Sequence, residues 1–372
     1  MDHDTTTIGS PAELNDVLVA LGWTDERQDA FAEHAAEGLI PGRVVSMGGT
    51  MMATTSGGQV QVILQRRFLR AIIDHEGRPA IGDWLALQPQ AGDATRSAVV
   101  AVLPRTGVFT RNRLSDGRAQ VIAANIDIAF LVSGLDHDLN LRRIERYLVL
   151  TRDGGVEPVI VLNKADVVED LPVALEAVRE VAGGARIVAI SAKTGSGVDD
   201  IADLVGPGTT ACLLGSSGVG KSTITNALLG SERQVVRALR EDDSRGRHTT
   251  SHRELFELDN GGLLIDTPGL RTVGVRGDAR SVEASFRDLE DLAALCRFSD
   301  CTHQSEPGCA IIAAIEAGTV AASRVASQRK IEAERSAFEA RASVRDRRQR
   351  ERELTRGYKR AGRDAERFKR GS

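Results

Sequence analysis

The sequence predicts a multidomain protein with a small β-barrel, an α/β domain and a helical C-terminal module that binds a metal ion. Three observations support this prediction. Short β-like runs separated by glycine-containing turns occupy residues 41–115, apolar strands alternate with helices over residues 116–276, and three cysteines and a histidine lie between residues 296 and 309. A chain of 372 residues is long enough for two or three domains with separate cores.

The composition favours a soluble globular protein in a reducing compartment. The chain is 41% hydrophobic and 27% charged, and none of its runs approaches the roughly 20 apolar residues that a membrane span requires. The acidic first segment lacks the features of a signal peptide. We therefore expect a cytoplasmic protein with no membrane partner, in which Cys212 is a core residue.

The net charge of -4 conceals two basic regions. Residues 324–372 contain 17 Lys and Arg against 8 Asp and Glu, and residues 41–118 contain 10 Arg against 5 acidic residues. Basic regions of this kind suit a polyanion such as RNA, although most charged runs are simply solvated surface.

Two segments flank the predicted domains. Residues 1–40 contain two helix-like stretches and form a short N-terminal extension that ends at Pro41. Beyond a metal-binding module predicted over residues 277–330, an Arg-, Glu- and Ala-rich tail occupies residues 331–372. This tail is either a solvated helix or a disordered arm.

Five short runs predict the barrel. The runs are "RVVSMGG", "GGQVQVILQ", "RFLRAII", "GDWLALQ" and "SAVVAVLP". Their number and spacing fit an oligonucleotide-binding (OB) barrel, and an SH3-like barrel would give a similar pattern.

From about residue 121 the sequence predicts a parallel sheet. The apolar runs "IDIAFLVSGL", "PVIVLNKAD", "RIVAISA" and "ACLLG" are each followed by a helix-like stretch, and an apolar hairpin, "ELFELDNGGLLIDTPG", comes last. Alternation of this kind predicts strands with helices on both faces of the sheet, ending near Arg276.

The segment "GSSGVGKST" has the spacing of a phosphate-binding loop between a strand and a helix. The glycines let backbone N–H groups point at phosphate oxygens, Lys221 can reach the β- and γ-phosphates, and the Ser222 hydroxyl can ligate Mg²⁺. The predicted phosphate-binding residues are Gly215, Ser216, Ser217, Gly218, Val219, Gly220, Lys221, Ser222 and Thr223. This loop alone does not choose the base.

Two other strand ends predict a guanine site. The residues there are Asn163, Lys164, Ala165 and Asp166, and then Ser191, Ala192 and Lys193. The Asp166 carboxylate can accept hydrogen bonds from both N1–H and N2–H₂ of guanine, a donor pair that adenine lacks. The combined motifs predict GTP and GDP as ligands, with the base-reading segment before the phosphate loop, the reverse of the usual order.

The residues around the hairpin predict two switch segments. In "LLIDTPGL", Asp266 would hold Mg²⁺ through water and the Gly269 N–H would sense the γ-phosphate. In the polar loop before the hairpin, Thr250, or alternatively Thr249, would supply a hydroxyl ligand to Mg²⁺.

The catalytic prediction rests on what the second switch lacks. Leu270 stands where many GTPases carry a water-positioning glutamine, so intrinsic hydrolysis is expected to be slow. His248 is then a candidate to position water, and the alternative is a solvated loop histidine. Lys221 and Thr250 complete the predicted catalytic set.

The spacing of Cys296, Cys301, His303 and Cys309 predicts a tetrahedral Cys₃His zinc site. Four protein ligands leave no coordination position for water, which favours structural zinc. The segment has few apolar residues, so its fold would depend on the metal.

With these motifs, the chain resembles the RsgA family of bacterial GTPases, which depend on the small ribosomal subunit and carry their guanine-binding motifs in permuted order. The likeness extends over about residues 43–329. It includes "GDW" at 82–84, "QVIAANIDIAFLV" at 120–132, "GRHTT" at 246–250 and "AAIEAG" at 313–318. The resemblance implies an OB-fold RNA-binding barrel, a circularly permuted GTPase domain and a zinc-binding domain.

The resemblance also implies a function in late maturation of the small (30S) subunit. Such a protein contacts 16S rRNA and ribosomal proteins, hydrolyses GTP when the subunit stimulates it, and assists the release of assembly factors. Ser251 departs from the family pattern, and the Arg-rich tail goes beyond it. We expect a monomer. An ATP-dependent enzyme, which Asp166 disfavours, and an RNA-binding translation regulator with GTP as a structural ligand are the alternatives.

Overall fold

The computed structural model describes residues 11–72, 77–112, 119–136, 138–230, 253–266, 279–337 and 340. The N-terminal extension forms two helices, α1 (Pro11–Ala20) and α2 (Asp25–Ala36). Between them, the Trp23 ring packs edge-on against Phe31 at 5.8 Å and against Trp84 of the barrel at 4.7 Å. The extension therefore packs onto the barrel and covers its single tryptophan, Trp84.

Five strands form a closed barrel, as predicted. They are β1 (Ile40–Met47), β2 (Met51–Thr55), β3 (Gly58–Ile63), β4 (Trp84–Gln90) and β5 (Asp93–Val102). Their order is β1-β2-β3-β5-β4, and β4 returns to pair with β1. Only the β3–β5 pairing among them is parallel. Closure removes free sheet edges and fits the OB type of barrel.

One of the five predicted strands is wrong, and one strand was not predicted. Within the run "RFLRAII", the residues up to Ala71 belong to helix α3 (Arg66–Ala71), whereas "MMATT" forms β2. Arginine, leucine and alanine favour a helix, and Phe68 anchors this helix in the core. The half-buried Ile72 ends the helix with an extended backbone and packs against the same core. A short apolar run cannot distinguish these two structures by periodicity alone.

The α/β domain follows a two-stranded hairpin, β6 (Phe109–Asn112) and β7 (Ala119–Ala123). Its strands are β8 (Ile128–Gly134), β9 (Glu157–Asn163), β10 (Arg186–Ala189), β11 (Thr210–Gly215), β12 (Arg253–Glu257) and β13 (Leu263–Asp266). The order is β10-β9-β8-β11-β13-β12, and only β12 runs antiparallel to its neighbour in this part of the sheet. Every residue of β8 is buried, as expected for a central parallel strand.

Helices connect the strands of this domain, and side chains cap the first two of them. They are α4 (Leu141–Asp153), α5 (Leu171–Ala182), α6 (Val198–Ala202) and α7, described over residues 221–230. The Asn140 side chain accepts a hydrogen bond from Arg143 N at 3.1 Å, and the Asp170 side chain accepts one from Val173 N at 3.0 Å. These caps satisfy backbone donors that a helix start would otherwise leave unpaired.

The barrel and the α/β domain share one continuous sheet, which the sequence did not predict. Strand β1 pairs antiparallel with β12, with Ser46 opposite Glu254. Arg43 of β1 is 1% exposed and reinforces the junction. Its guanidinium donates to the carbonyls of Leu21, Gly82 and Asn125 and to the Thr210 hydroxyl. One side chain thus connects the extension, the barrel and strand β11.

The C-terminal module consists of short helices around a loop. They are α8 (Ala279–Ser285), α9 (Arg287–Ala293), α10 (Ala310–Glu316) and α11, described over residues 322–337. Helix α11 passes the predicted boundary at residue 331 without interruption, and the tail from residue 341 lies outside the described residues. Among the helices described, none has the length and apolarity needed to cross a membrane.

A buried ionic network attaches this module to α4. Glu145 of α4 is 0% exposed and accepts hydrogen bonds from Arg142 and from Arg324 of α11. Arg324 also pairs with Asp288 of α9 at 2.5 Å, and its guanidinium lies 4.9 Å from the Phe286 ring centroid. Charges removed from water require such partners, so the network fixes the module on the α/β domain.

Candidate functional site

The predicted nucleotide-binding residues meet at one edge of the sheet. Strands β8, β9, β10, β11 and β13 are parallel, so their carboxyl ends point the same way. Asn163 ends β9, Gly215 ends β11 and Asp266 ends β13, while Ser191 follows β10 closely. A ligand site is expected at this edge of an open α/β sheet.

The segment after β11 adopts a loop that only glycine accommodates easily. Gly218 and Gly220 have φ values of +81° and +99°, and a Cβ atom at Gly220 would lie 2.3 Å from Asn163 Nδ2. The Lys221 ammonium donates to the Gly215 and Ser216 carbonyls at 2.9 and 2.5 Å. The lysine is thereby held over the loop where phosphate is expected to bind.

Asn163 connects the three nucleotide loops. Its side chain is buried, its Nδ2 donates to Val219 O at 2.9 Å, and its Oδ1 accepts from Ala192 N at 3.0 Å. Ala165 N donates to Ile190 O at 3.0 Å, which adds a backbone contact between the same strand ends. We predicted that Asn163 fixes the loop, and these two side-chain hydrogen bonds are the contacts through which it can do so.

Asp166 presents an exposed carboxylate at the part of this edge where guanine is predicted to bind. Its Oδ1 accepts a hydrogen bond from the buried Ser191 hydroxyl at 2.7 Å. This hydrogen bond lowers the pKa of Asp166 below its ordinary value. The carboxylate is therefore ionised at neutral pH and able to accept two N–H donors from a base.

Several other predicted residues are exposed where the structure describes them. Ser222 and Thr223 are exposed in the first turn of α7, Ser217 is exposed in the phosphate loop, and Lys193 is exposed beside Ser191. His248, Thr249, Thr250, Ser251, Gly269 and Leu270 lie outside the described residues.

The sequence motifs missed two acidic residues at the same edge, Asp136 and Asp138. They follow β8, and each contacts a predicted nucleotide loop. The Lys164 ammonium donates to Asp136 Oδ2 at 2.5 Å, and the Ser216 hydroxyl donates to Asp138 Oδ2 at 2.5 Å. Their position directly after a predicted parallel strand was the one sequence feature that could have indicated a place in the site, because ligands bind at the carboxyl ends of such strands.

The Cys₃His set converges in the C-terminal module. The candidate ligand atoms of Cys296, Cys301, His303 and Cys309 all lie within 4.8 Å of one another. His303 Nδ1 lies 3.5 Å from Cys296 Sγ and 3.4 Å from Cys309 Sγ. The number, type and spacing of these ligands fit tetrahedral zinc.

Backbone N–H groups at the start of α10 donate to two of the sulfur atoms in this cluster. Ala310 N donates to Cys296 Sγ at 3.4 Å, and Ile312 N donates to Cys309 Sγ at 3.5 Å. Desolvation opposes ionisation, but the N–H groups of Ala310 and Ile311 bring the pKa of Cys296 below its ordinary value. A lowered pKa favours the thiolate form that binds a metal.

Known proteins of similar sequence are GTPases, which agrees with the nucleotide site predicted at one edge of the sheet. The family model for the RsgA GTPase matches residues 102–276. The small ribosomal subunit biogenesis GTPase RsgA of Opitutus terrae is 44% identical over 86% of this chain and 90% of its own length. The protein of the same name from Streptomyces coelicolor is 42% identical over 93% of both chains.

Solved structures extend the likeness to the fold. The crystal structure of YjeQ from Thermotoga maritima has a TM-score of 0.58 and 27% sequence identity, and the match covers 80% of this chain and 98% of that one. YloQ, a circularly permuted GTPase, has a TM-score of 0.54 at 23% identity over 80% of this chain and 96% of its own, which supports the fold alone.

Proposed function

This chain belongs to the RsgA family of GTPases, and from that premise we propose that it hydrolyses GTP on the small ribosomal subunit during late maturation. The observation that carries the proposal is the permuted site itself. In the chain, strand β9 with its guanine loop comes before β11 with its phosphate loop, which is the reverse of the usual order. In the sheet, only β8 separates these two strands, so both loops lie at the same edge. The site is joined to a closed barrel and a Cys₃His module in one chain.

Each part of the site has a proposed role. Asp166 reads guanine while Asn163 holds the loops together, Lys221 and the backbone N–H groups of residues 215–220 stabilise negative charge on the phosphates, and Ser222 ligates Mg²⁺. Magnesium supplies charge neutralisation at the β- and γ-phosphates. Asp266, at the end of β13, is proposed to hold the same ion through water.

The barrel is proposed to contact rRNA through its arginines. Arg66, Arg67 and Arg70 are exposed on α3, and Arg78 and Arg96 are exposed elsewhere on the barrel. Phosphate contacts of this type supply affinity without sequence specificity and weaken as salt rises. Ribosomal proteins and assembly factors are proposed as further contacts, and the cytoplasm as the compartment, because small subunits mature there.

The test is GTP turnover by the purified protein, alone and with small subunits, large subunits and whole ribosomes. We expect marked stimulation by small subunits only, and sedimentation with them when a non-hydrolysable GTP analogue is bound. Equal turnover under all conditions would instead support the alternative, a translation regulator that uses GTP as a structural ligand. The GTPase names of the relatives do not favour that alternative.

Asp166→Asn is expected to change base specificity. The asparagine amide keeps one acceptor but replaces the second with a donor, which opposes guanine N–H and matches the O2 carbonyl of xanthine. Affinity for GDP should fall by about 10²-fold while affinity for XDP rises. Competition binding with GDP, XDP and ADP measures both changes, and an unaltered GDP:XDP ratio would remove Asp166 from the guanine site.

His248→Ala tests the proposed catalytic residue of the first switch. Subunit-stimulated turnover should fall by about 10²-fold, the usual contribution of a positioned proton-transfer or water-orienting group, while GTP affinity stays near normal. Single-turnover hydrolysis and nucleotide titration separate the two effects. Full stimulated turnover in the variant would assign His248 to solvated surface.

We also propose that the Cys₃His cluster holds one structural zinc ion. Cys309→Ser removes a buried ligand that also caps α10. The variant should lose the bound metal and unfold the module at a lower temperature, since metal binding contributes to folding. Metal analysis and thermal unfolding with and without chelator measure this. Cys212→Ser, outside the cluster, is the control for metal content alone and should retain zinc, because burial of its hydroxyl in the core affects stability by itself.

A further inference from the structure

Asp136 and Asp138, here called the acidic pair, contact both nucleotide loops from a segment that carries none of the nucleotide motifs. Asp136 accepts the 2.5 Å hydrogen bond from Lys164 on the guanine side, and Asp138 accepts the 2.5 Å hydrogen bond from Ser216 on the phosphate side. The pair is linked internally, because Asp138 N donates to Asp136 Oδ1 at 3.2 Å. One short segment therefore connects the two halves of the nucleotide site.

The acidic pair is itself held in place by the start of α4. Arg143 Nη2 lies 2.8 Å from Asp138 Oδ2 and also donates to the Asp138 carbonyl. Gly134 allows the Asp136 carboxylate to fold back, since a Cβ atom there would lie 2.5 Å from Asp136 Oδ1. The four side chains that form the two ion pairs are 26% to 33% exposed, so solvent screens these contacts only partly.

We infer that the acidic pair positions the guanine loop and the phosphate loop relative to each other before a nucleotide binds. The inference rests on the proposed function. GDP and GTP span both loops, so a fixed separation lowers the ordering cost of binding. Arg143 offsets the charge of Asp138, which would otherwise repel a nearby phosphate. Both aspartates are positioning residues, since they act through Lys164 and Ser216.

The experiment is a double-mutant cycle on Asp138 and Ser216, read out by the affinities of the full-length protein for GDP and GMP. Asp138→Ala and Ser216→Ala should each weaken GDP binding about fivefold, the loss expected for one partly exposed charge-assisted hydrogen bond. The double variant should be no weaker than either single variant. GMP, which lacks the β-phosphate, should be affected less than GDP.

Two further variants test whether the Asp138 hydrogen bond or its negative charge matters, and whether loss of any surface aspartate weakens GDP binding. Asp138→Asn should restore most of the GDP affinity, because its amide oxygen can still accept from the Ser216 hydroxyl. Asp200→Ala, on the exposed face of α6, should leave GDP affinity unchanged. Thermal unfolding of every variant checks that the fold persists.

Specific outcomes overturn the inference. Tighter GDP binding by Asp138→Ala would mean that repulsion of phosphate dominates, and additive losses in the double variant would mean that Asp138 and Ser216 act independently. If the wild type binds GDP normally and Asp138→Ala binds GDP equally well, the positioning role of the acidic pair is wrong but the proposed function is unaffected. A wild-type protein that does not prefer GDP over ADP would defeat the proposed function instead.

Discussion

Lys221→Ala is expected to lower GTP turnover by about 10²- to 10³-fold. The ammonium group already lies against the phosphate loop, where it donates to the Gly215 and Ser216 carbonyls. A cation preorganised at this position stabilises charge that develops on the transferred phosphoryl group, and removal of one such donor costs this much in other enzymes. Turnover at saturating GTP with small subunits present measures the effect.

The matched control for this variant is Lys330→Ala, because Lys330 is exposed on α11 and far from the nucleotide motifs in sequence. Without small subunits, its turnover should equal that of the wild type. This condition is used because Lys330 lies in the basic region of residues 324–372, which suits RNA. Lys221→Arg should remain strongly impaired, since a planar guanidinium does not replace a compact ammonium in a close-fitting loop. Turnover near the wild-type value in Lys221→Ala would exclude this lysine from catalysis.

Arg324→Ala should destabilise the protein by about 3 kcal/mol. Its side chain is only 7% exposed and forms ion pairs with Glu145 and Asp288. Removal leaves Glu145, which is fully buried, with Arg142 as its remaining ion-pair partner among the described residues. Loss of one partner from a buried pair costs about 3–5 kcal/mol, and the lower end applies because Asp288 is half-exposed and Glu145 keeps one partner.

Equilibrium denaturation measures this loss of stability, which is compared with the losses in two other variants. Arg179→Ala breaks an ion pair with Glu176 in which both side chains are at least 60% exposed, and it should cost less than about 0.5 kcal/mol. Replacing Glu145 and Arg324 together by Leu and Met should cost less than Arg324→Ala alone, because no unpaired charge then remains buried. A loss for Arg324→Ala as small as that for Arg179→Ala would show that the network carries little stability.

The sequence was most informative where backbone geometry and residue chemistry coincide. Alternating apolar strands and helices predicted the parallel sheet, and the glycines at 218 and 220 indicated the loop that the structure contains. Prediction failed at "RFLRAII", where a short apolar run fits a strand or a helix equally well. Pairing between β1 and β12 was also unpredictable, because local pattern carries no information about partners some 200 residues apart.

The residues of the site also divide into those that the sequence predicted and those that only the fold revealed. Asn163, Asp166 and Ser191 were predictable because short motifs bring them to strand ends. In the structure Asp166 contacts Ser191, and Asn163 contacts the backbone of Val219 and Ala192. Asp136, Asp138 and Arg43 were missed, since an isolated charged residue gains meaning only from the groups that surround it in the fold. Arg43 in particular contributes to the basic barrel count in the sequence but is buried at a domain junction in the structure.

The shared ladder between β1 and β12 also constrains how the chain folds during synthesis. The barrel strands leave the ribosome first, but Ser46 cannot meet Glu254 until about 150 residues beyond the last barrel strand have been made, which takes ~8–30 s at ~5–20 residues per second. Until then Ser46 and Met47, which lie beyond the part of β1 that pairs with β4, lack a partner on the side that later meets β12 and can pair incorrectly with other chains. Arg43 lacks its Thr210 partner for most of the same interval. The nascent chain should therefore be most prone to aggregation between completion of the barrel and emergence of β12.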